Sequence, residues 1–279
     1  MIVAIEKRKS VRTYQNEPLS MQDQLSIKKL IKHHEALKGP FGNTIKLFYY
    51  NNDTRDKDDS KKIGTYGFIK HPPAFFGGAC ENNFKALFDF GYIFEMLILR
   101  LTKKDLGTVW LGGTFKREEF KDEAFENAVI PAISPVGYPN EKRSLREKLI
   151  RNTAKADQRY PFSELFFDNT IQNPIADETK ESHPMYKYLE LVRLGPSASN
   201  KQPWRVIVEN NKLHLYLKRT PHYGEKLPYD IQALDVGIAA AHIEVGLEFD
   251  NLRFKRFEDE QHLNYPEMEY VLTYEIMQR

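Results

Sequence analysis

A single cysteine in 279 residues, Cys80, leaves no partner for an intramolecular disulfide and no thiolate set for a metal cluster. Its setting, Phe75-Phe76-Gly77-Gly78-Ala79-Cys80, is that of a small apolar filler rather than a nucleophile. Charge of one sign is lacking too: 41 Lys and Arg face 39 Asp and Glu, a net of +2. Proteins that neutralise many phosphates carry a larger or more clustered basic excess, so nucleic acid is not the expected partner. No long apolar run is present. The most apolar stretch, Tyr92 to Leu101, is too short to span a bilayer and contains Glu95. The N-terminus, MIVAIEKRKS, has charge where a secretory leader needs its apolar segment, which makes a soluble, cytoplasmic protein the expectation. Metal-ligand spacing is missing as well, and no metal site is expected. His242 reads as a hydrogen-bonded core histidine, and His33-His34 as an exposed helix end.

Against these absences stand 18 Phe, 15 Tyr and 2 Trp, apolar surface enough to offset chain entropy and fold. The length suits one large domain or two small ones. Two stretches echo each other. Ser26 to Asn52 and Met185 to Asn211 each run from a short amphipathic helix through Gly-Pro and an Asn into a β-branched and aromatic strand, then Asn-Asn. The matching pairs are Gly39-Pro40 with Gly195-Pro196, Asn43 with Asn200, and Asn51-Asn52 with Asn210-Asn211.

A second echo follows in the same order. Phe84 to Leu101 and Ile231 to Val245 carry apolar residues at helical spacing, and both hold Asp-x-Gly, at Asp89-Phe90-Gly91 and Asp235-Val236-Gly237. Glycine inside a helix costs about 1 kcal/mol relative to alanine, so its presence in both predicts close helix approach. Chance would explain one such tripeptide; two echoes in one order favour duplication. Of the connections, Asn51 to Lys62 reads as a solvated charged loop, Leu145 to Gln158 as a basic surface helix, and Pro161 to Pro174 as an arm packed on the body.

Three stretches carry chemistry. In Arg8-Lys9-Ser10-Val11-Arg12 an extended backbone sets Arg8, Ser10 and Arg12 on one face, where two guanidiniums and a hydroxyl suit a phosphate. Taken alone, such a basic N-terminus is more often an ordinary solvated segment. The second stretch, Gly195-Pro196-Ser197-Ala198-Ser199-Asn200-Lys201-Gln202-Pro203-Trp204, combines short donors and acceptors with two stiffening prolines. It suits a planar heteroaromatic ligand better than it suits a plain turn. The third, Asp105-Leu106-Gly107-Thr108-Val109-Trp110-Leu111-Gly112-Gly113, ends the preceding helix in a glycine-bearing turn and lets a ligand approach bare amides. It is neither a P-loop nor a dinucleotide fingerprint, because it lacks Lys-Ser/Thr and follows a helix.

In the order RxSxR, LGTxWLGG and PSxSNxQPW, the three stretches resemble the FMN-dependent nitroreductase family, from Arg8 to about Phe257. Members are normally homodimers in which each subunit carries all three motifs and FMN lies across the interface. Here the first half has RxSxR and the Leu106 turn, but Gly39-Pro40-Phe41-Gly42-Asn43 has lost the polar loop. The second half has the polar loop, but Leu247-Glu248-Phe249-Asp250 has no glycine turn. The chain is thus most similar to the single-chain, duplicated variant of the family. That resemblance implies an α+β fold, a mixed sheet flanked by helices, with two intertwined half-repeats (1–168 and 169–279) forming a pseudo-dimer.

The resemblance also implies roles. Arg8 and Ser10 would hold the FMN phosphate, with Lys142 and Arg143 after Gly137-Tyr138-Pro139 reaching it too. Arg12 would sit by the pyrimidine edge and stabilise the anionic reduced form. Leu111 and Gly112 would lie over the ring, with the Gly112 amide donating to N5. Pro196, Ser197, Ala198 and Asn200 would close the site from the other half, supported by Gln202, and Thr65-Tyr66-Gly67 would touch the ring. The activity implied is two-electron, ping-pong transfer from NADH or NADPH to a small acceptor such as a nitroaromatic or quinone. No side chain need act as acid or base, because flavin N5 takes the hydride. The expected form is a pseudo-dimeric monomer rather than an obligate homodimer. Two other readings remain: a flavin-binding protein with little turnover, for storage or sensing, and a degenerate interaction protein without flavin.

Overall fold

The computed structural model describes residues 1–52, 69–140 and 158–277. Helices α1 (Ile2–Lys7) and α2 (Met21–Glu35) precede β1 (Lys46–Asn51), β2 (Ala74–Glu81), α3 (Phe84–Thr102), β3 (Gly107–Thr108), β4 (Ala128–Val129) and β5 (Ile133–Gly137). The chain continues with α4 (Phe162–Leu165), β6 (Phe166–Asp168), α5 (Tyr186–Arg193), β7 (Trp204–Glu209), β8 (Lys212–Leu217), α6 (Ile231–Phe249), β9 (Phe254–Phe257) and β10 (Glu269–Ile276). One sheet runs β1-β2-β5-β3, with β4 on β2; the other runs β6-β7-β8-β10-β9. Matching β1 with β7, β2 with β8, β5 with β10 and β3 with β9 makes the two orders the same. The internal repeat read from the sequence is present in the sheet topology.

The arm across the middle breaks the symmetry. β6 adds to β7 in parallel, while the remaining ladders of both sheets are antiparallel, so a segment from the expected first half completes the second sheet. Phe162 and Phe166 bury their rings completely, which anchors the arm. The turns differ as well. Asn210, at φ 54°, makes the short turn from β7 to β8, whereas Asn52 closes the mouth of the longer connection, its Nδ2 donating to the Pro72 carbonyl at 2.8 Å. The rest of that connection, with Thr65-Tyr66-Gly67, lies outside the described residues, as do Lys142, Arg143 and the basic stretch expected from Leu145.

At the centre, α3 and α6 lie against each other. Every residue of α6 from Ile231 to Leu247 is buried. A helix apolar all round requires neighbours on all sides. A Cβ on Gly91 would lie 2.2 Å from the Leu234 carbonyl oxygen, and one on Gly237 would lie 2.1 Å from that of Phe88. These contacts exchange under the repeat, so the two Asp-x-Gly tripeptides mark a pseudo-twofold contact.

Two local readings change. His34 is buried, not at an exposed end: its Nδ1 donates to the Leu30 carbonyl at 2.8 Å, and burial pushes its pKa down. The turn after α3 takes its left-handed residue from Asp105, at φ 58°, rather than from a glycine. Gly107 belongs to β3, and its bareness serves another need: a Cβ there would lie 2.8 Å from the Val11 side chain. Cys80 is buried, and burial raises its thiol pKa to about 12, which suits the filler role.

Candidate functional site

The three motif stretches gather along the α3–α6 pair. Arg8 caps α1, whose Ala4 and Ile5 pack on Leu99, Leu191 and Val245, with Leu194 alongside. Leu194 immediately precedes the polar loop. Beyond Arg8 the chain is extended: Ser10 bridges Thr108 in parallel, the Val11 amide donates to the Thr108 carbonyl at 2.9 Å, and the Arg12 carbonyl accepts from the Lys70 amide. Val11 is buried against β3, while Arg8, Ser10 and Arg12 are half-buried. Val11 thus turns inward, and β3 joins the arginine stretch to the glycine stretch.

From β3 the glycine stretch runs to the N-terminal end of α6. Leu111 exchanges backbone hydrogen bonds with Ile133, and its side chain enters the core, so it offers neighbours its backbone rather than its methyls. Gly112 meets the second half directly: its carbonyl accepts from the Tyr229 hydroxyl at 2.9 Å. A Cβ on Gly112 would lie 3.1 Å from Ile231 Cδ1 and 3.2 Å from that hydroxyl.

The polar loop lies on the same helix. The Ala198 amide donates to Asp235 Oδ1 at 2.9 Å, and the Tyr223 hydroxyl donates to Ser199 Oγ at 2.9 Å. Between the α1 contact at Val245 and the loop contact at Asp235 lie ten helix residues, about 15 Å. The two motif-bearing segments thus pack on one buried helix about three turns apart. A buried chain ties the two core helices together. Trp110 Nε1 donates to Glu95 Oε2 at 2.8 Å, Glu95 Oε1 meets His242 Nε2 at 3.2 Å, and His242 Nδ1 donates to the Leu191 carbonyl at 2.7 Å. His242 is the hydrogen-bonded core histidine expected.

The loop is held in an uncommon conformation. Ser199, Asn200 and Gln202 have φ of 47°, 57° and 47°. Such left-handed residues cost about 1–3 kcal/mol each and persist only where surroundings enforce them, often at ligand sites. The enforcement comes from within the loop and from the arm. Ser197 Oγ accepts from the Gln202 amide at 2.8 Å, and buried Gln202 accepts from the Tyr160 amide at 3.0 Å. Asn200 Oδ1 accepts from Arg159 Nη1 at 3.1 Å, and its Nδ2 donates to the Gln158 carbonyl at 2.7 Å. Arg159 also donates to the Leu194 carbonyl at 3.2 Å. The Asn200 side chain therefore faces the arm, and Gln202 acts inside the loop. Arg205 lies beneath, donating to the Gln202 and Trp204 carbonyls, and burial lowers its pKa to about 10.

Pro196, Ser197 and Ala198 remain half-buried in the same loop. Asp235 is fully buried; burial raises its carboxyl pKa well above the usual range, and the Ala198 amide opposes that rise. Its Oδ2 has no hydrogen-bond partner among the described residues. Arg117, Arg159, Tyr223 and Tyr229 were not singled out by sequence reasoning. No pattern marks them, because each acts through a partner remote in the chain.

At the matching place on α3 the first-half loop is packed differently. Phe41, in the place of the polar loop, packs edge-on against Phe88 at 5.0 Å. Lys85 covers its ring at 5.0 Å and pairs with Glu258 of the other half at 2.7 Å. Asp89 accepts from the Phe41 and Asn43 amides and from Asn43 Nδ2, which closes that loop on itself. An open groove of about 560 Å³, lined by Glu35, Asn43, Lys46, Glu81 and Phe125 among others, opens beside this first-half loop.

The family model described as "Putative TM nitroreductase" matches residues 1–247. No curated protein matches. Among solved structures, a "putative nitroreductase" from Thermotoga maritima is 19% identical with a TM-score of 0.60, covering 99% of this chain and 92% of that one. An FMN-dependent nitroreductase from Clostridium difficile is 15% identical at a TM-score of 0.38, over 52% of this chain and 90% of its own. An iodotyrosine deiodinase bound to FMN and 3-iodo-L-tyrosine is 15% identical at 0.40, over 52% and 92%.

Proposed function

The chain belongs to this nitroreductase family, and from that membership we propose that it is an FMN-dependent oxidoreductase, with one flavin held at the seam between its halves. The halves, 1–168 and 169–279, form one unit, and the working form is a cytoplasmic monomer. The observation that carries the reading is the joining of complementary motif stretches on one helix pair, the first half supplying cations and bare amides and the second a strained polar loop. The matching place on α3, where Phe41, Lys85 and Glu258 pack, supports one flavin rather than two.

The residues fit the group. Arg8, at the end of α1, and Ser10, two residues on, would bring a guanidinium and a hydroxyl to a phosphate, with Lys142 and Arg143 added to it in our reading. Arg12 would set positive charge beside the pyrimidine edge. Gly112 would let a ring approach the backbone, and a Cβ there would press on Ile231 and the Tyr229 hydroxyl. Pro196, Ser197 and Ala198 would cover the ring from the second half, while Asn200 and Gln202 keep the loop in shape. Bound there, FMN would supply the two-electron chemistry, taking hydride from NADH or NADPH and passing electrons to an electron-poor acceptor such as a nitroaromatic or quinone. The protein's task is to orient and to shield.

The test begins with purified protein. It should be yellow, hold about one FMN per chain, bleach with NADH or NADPH and recover colour with a nitroaromatic or quinone. A colourless protein that refuses added FMN overturns the reading.

A further inference from the structure

The Gly112 carbonyl accepts from two side chains, the Tyr229 hydroxyl at 2.9 Å and Arg117 Nη2. Arg117 Nη2 also donates to the Tyr229 hydroxyl at 3.1 Å, and Arg117 Nε donates to the Ile130 carbonyl at 3.1 Å. The guanidinium lies between two rings, 4.6 Å from the Phe115 centroid and 5.1 Å from that of Tyr229. One residue earlier, the Leu111 carbonyl accepts from the Ile133 amide at 3.1 Å, which fixes the peptide plane containing the Gly112 nitrogen. The carbonyl oxygens on either side of that nitrogen, those of Leu111 and Gly112, are both engaged. Among the described residues the Gly112 N–H itself donates to no protein acceptor.

We infer that Arg117 and Tyr229 are positioning residues, which pin the Gly112–Gly113 peptide and, with Ile133 pinning the peptide before it, hold the Gly112 N–H as a preoriented donor to the electron-accepting nitrogen of the flavin ring. The inference rests on the FMN reading above and adds to it the groups that aim the donor. A donor fixed before charge develops needs no reorganisation when it does, which is where such groups have their largest effect. The flat fork of an arginine reaches the Gly112 carbonyl, the Tyr229 hydroxyl and the Ile130 carbonyl at once; a lysine of equal charge does not. Tyr229 belongs to the second half, so the donor of the first half is aimed only when both halves are joined.

The variants Arg117→Lys and Tyr229→Phe test this in the flavin-loaded protein, by FMN content and by the two-electron midpoint potential against a reference dye. Both should retain about one FMN per chain while the preference for the reduced form falls about tenfold, equivalent to about 30 mV. The double variant should fall no further than the worse single one, because both side chains act on one carbonyl. Unchanged potentials in both flavin-loaded variants overturn the inference and leave the FMN reading standing. If Arg117→Lys takes up no flavin, Tyr229→Phe, which loses one oxygen, decides alone. A wild-type protein that binds no FMN sinks the FMN reading itself.

Discussion

Asp89 and Asp235 occupy matching positions on the two core helices, yet one accepts three hydrogen bonds from its loop and the other one. Burial raises both carboxyl pKa values, and the fully buried Asp235 is raised further out of range. The sign of the consequence follows. An acid harder to ionise when folded binds its proton more tightly in that state, so stability is lost as pH rises above the unfolded value of 3.8. Asp235→Asn keeps an acceptor for the Ala198 amide and removes the titration. Its melting temperature should equal that of wild type below that pH and exceed it increasingly above. A parallel pair of melting curves would show that Asp235 ionises freely. At the same scale, Arg8→Ala should weaken FMN binding by about 1.5–3 kcal/mol, the loss expected for a charge-assisted bond, and flavin titration reads it directly. Ser197→Ala should weaken it from the opposite half. Unchanged affinity in both would leave the shared site without support.

The three motif stretches themselves were legible, because their residue types stand side by side in the chain. The partners of Asn200 were not. Its motif speaks for ligand contact, and only the folded arm shows Gln158 and Arg159 taking its side chain.

Between elements, the closest approach is that of α3 and α6 at Gly91 and Gly237. The atoms that a Cβ would strike are backbone, 2.2 Å and 2.1 Å away, so no side chain can swing aside. Overpacking costs about 1–3 kcal/mol, and more where backbone must move. Alanine regains roughly 1 kcal/mol of helix propensity. Gly91→Ala and Gly237→Ala should therefore each lower stability by about 2 kcal/mol in urea unfolding. The double variant should lose less than the sum, since helices parted once accept both methyls. Either variant gaining stability would remove the close contact. Here the sequence spoke clearly, because a glycine in an apolar helix carries a cost that packing must offset. It spoke less clearly about where α3 ends: the left-handed turn residue is Asp105, which side-chain chemistry allows but does not announce.

For the molecule as a whole, the two halves of the repeat differ at matching places along the core helices. On α6 lies the strained loop. At the matching place on α3 lie Phe41 under Lys85 and the Lys85–Glu258 ion pair. Flavin quantitation should therefore give one FMN per chain, and the mass in solution should be that of one chain. Two flavins per chain would mean the first-half loop opens, and an obligate dimer would mean the seam lies elsewhere. Substituting Lys85 and Glu258 with alanine should leave the flavin count at one, because Phe41 and the closed Asp89 loop remain.

By itself the sequence determined the repeat, the order of its elements, the central helices and the three motif stretches. Each of these is written in local periodicity or in the chemistry of neighbouring residues. The tertiary structure alone decided which motif side chains turn inward to serve the protein and which unmarked residues bond the Gly112 carbonyl. Those outcomes depend on contacts between groups more than a hundred residues apart, such as Gly112 with Tyr229 or Glu95 with His242. No local pattern records a partner at that separation; only the packed chain brings the two together.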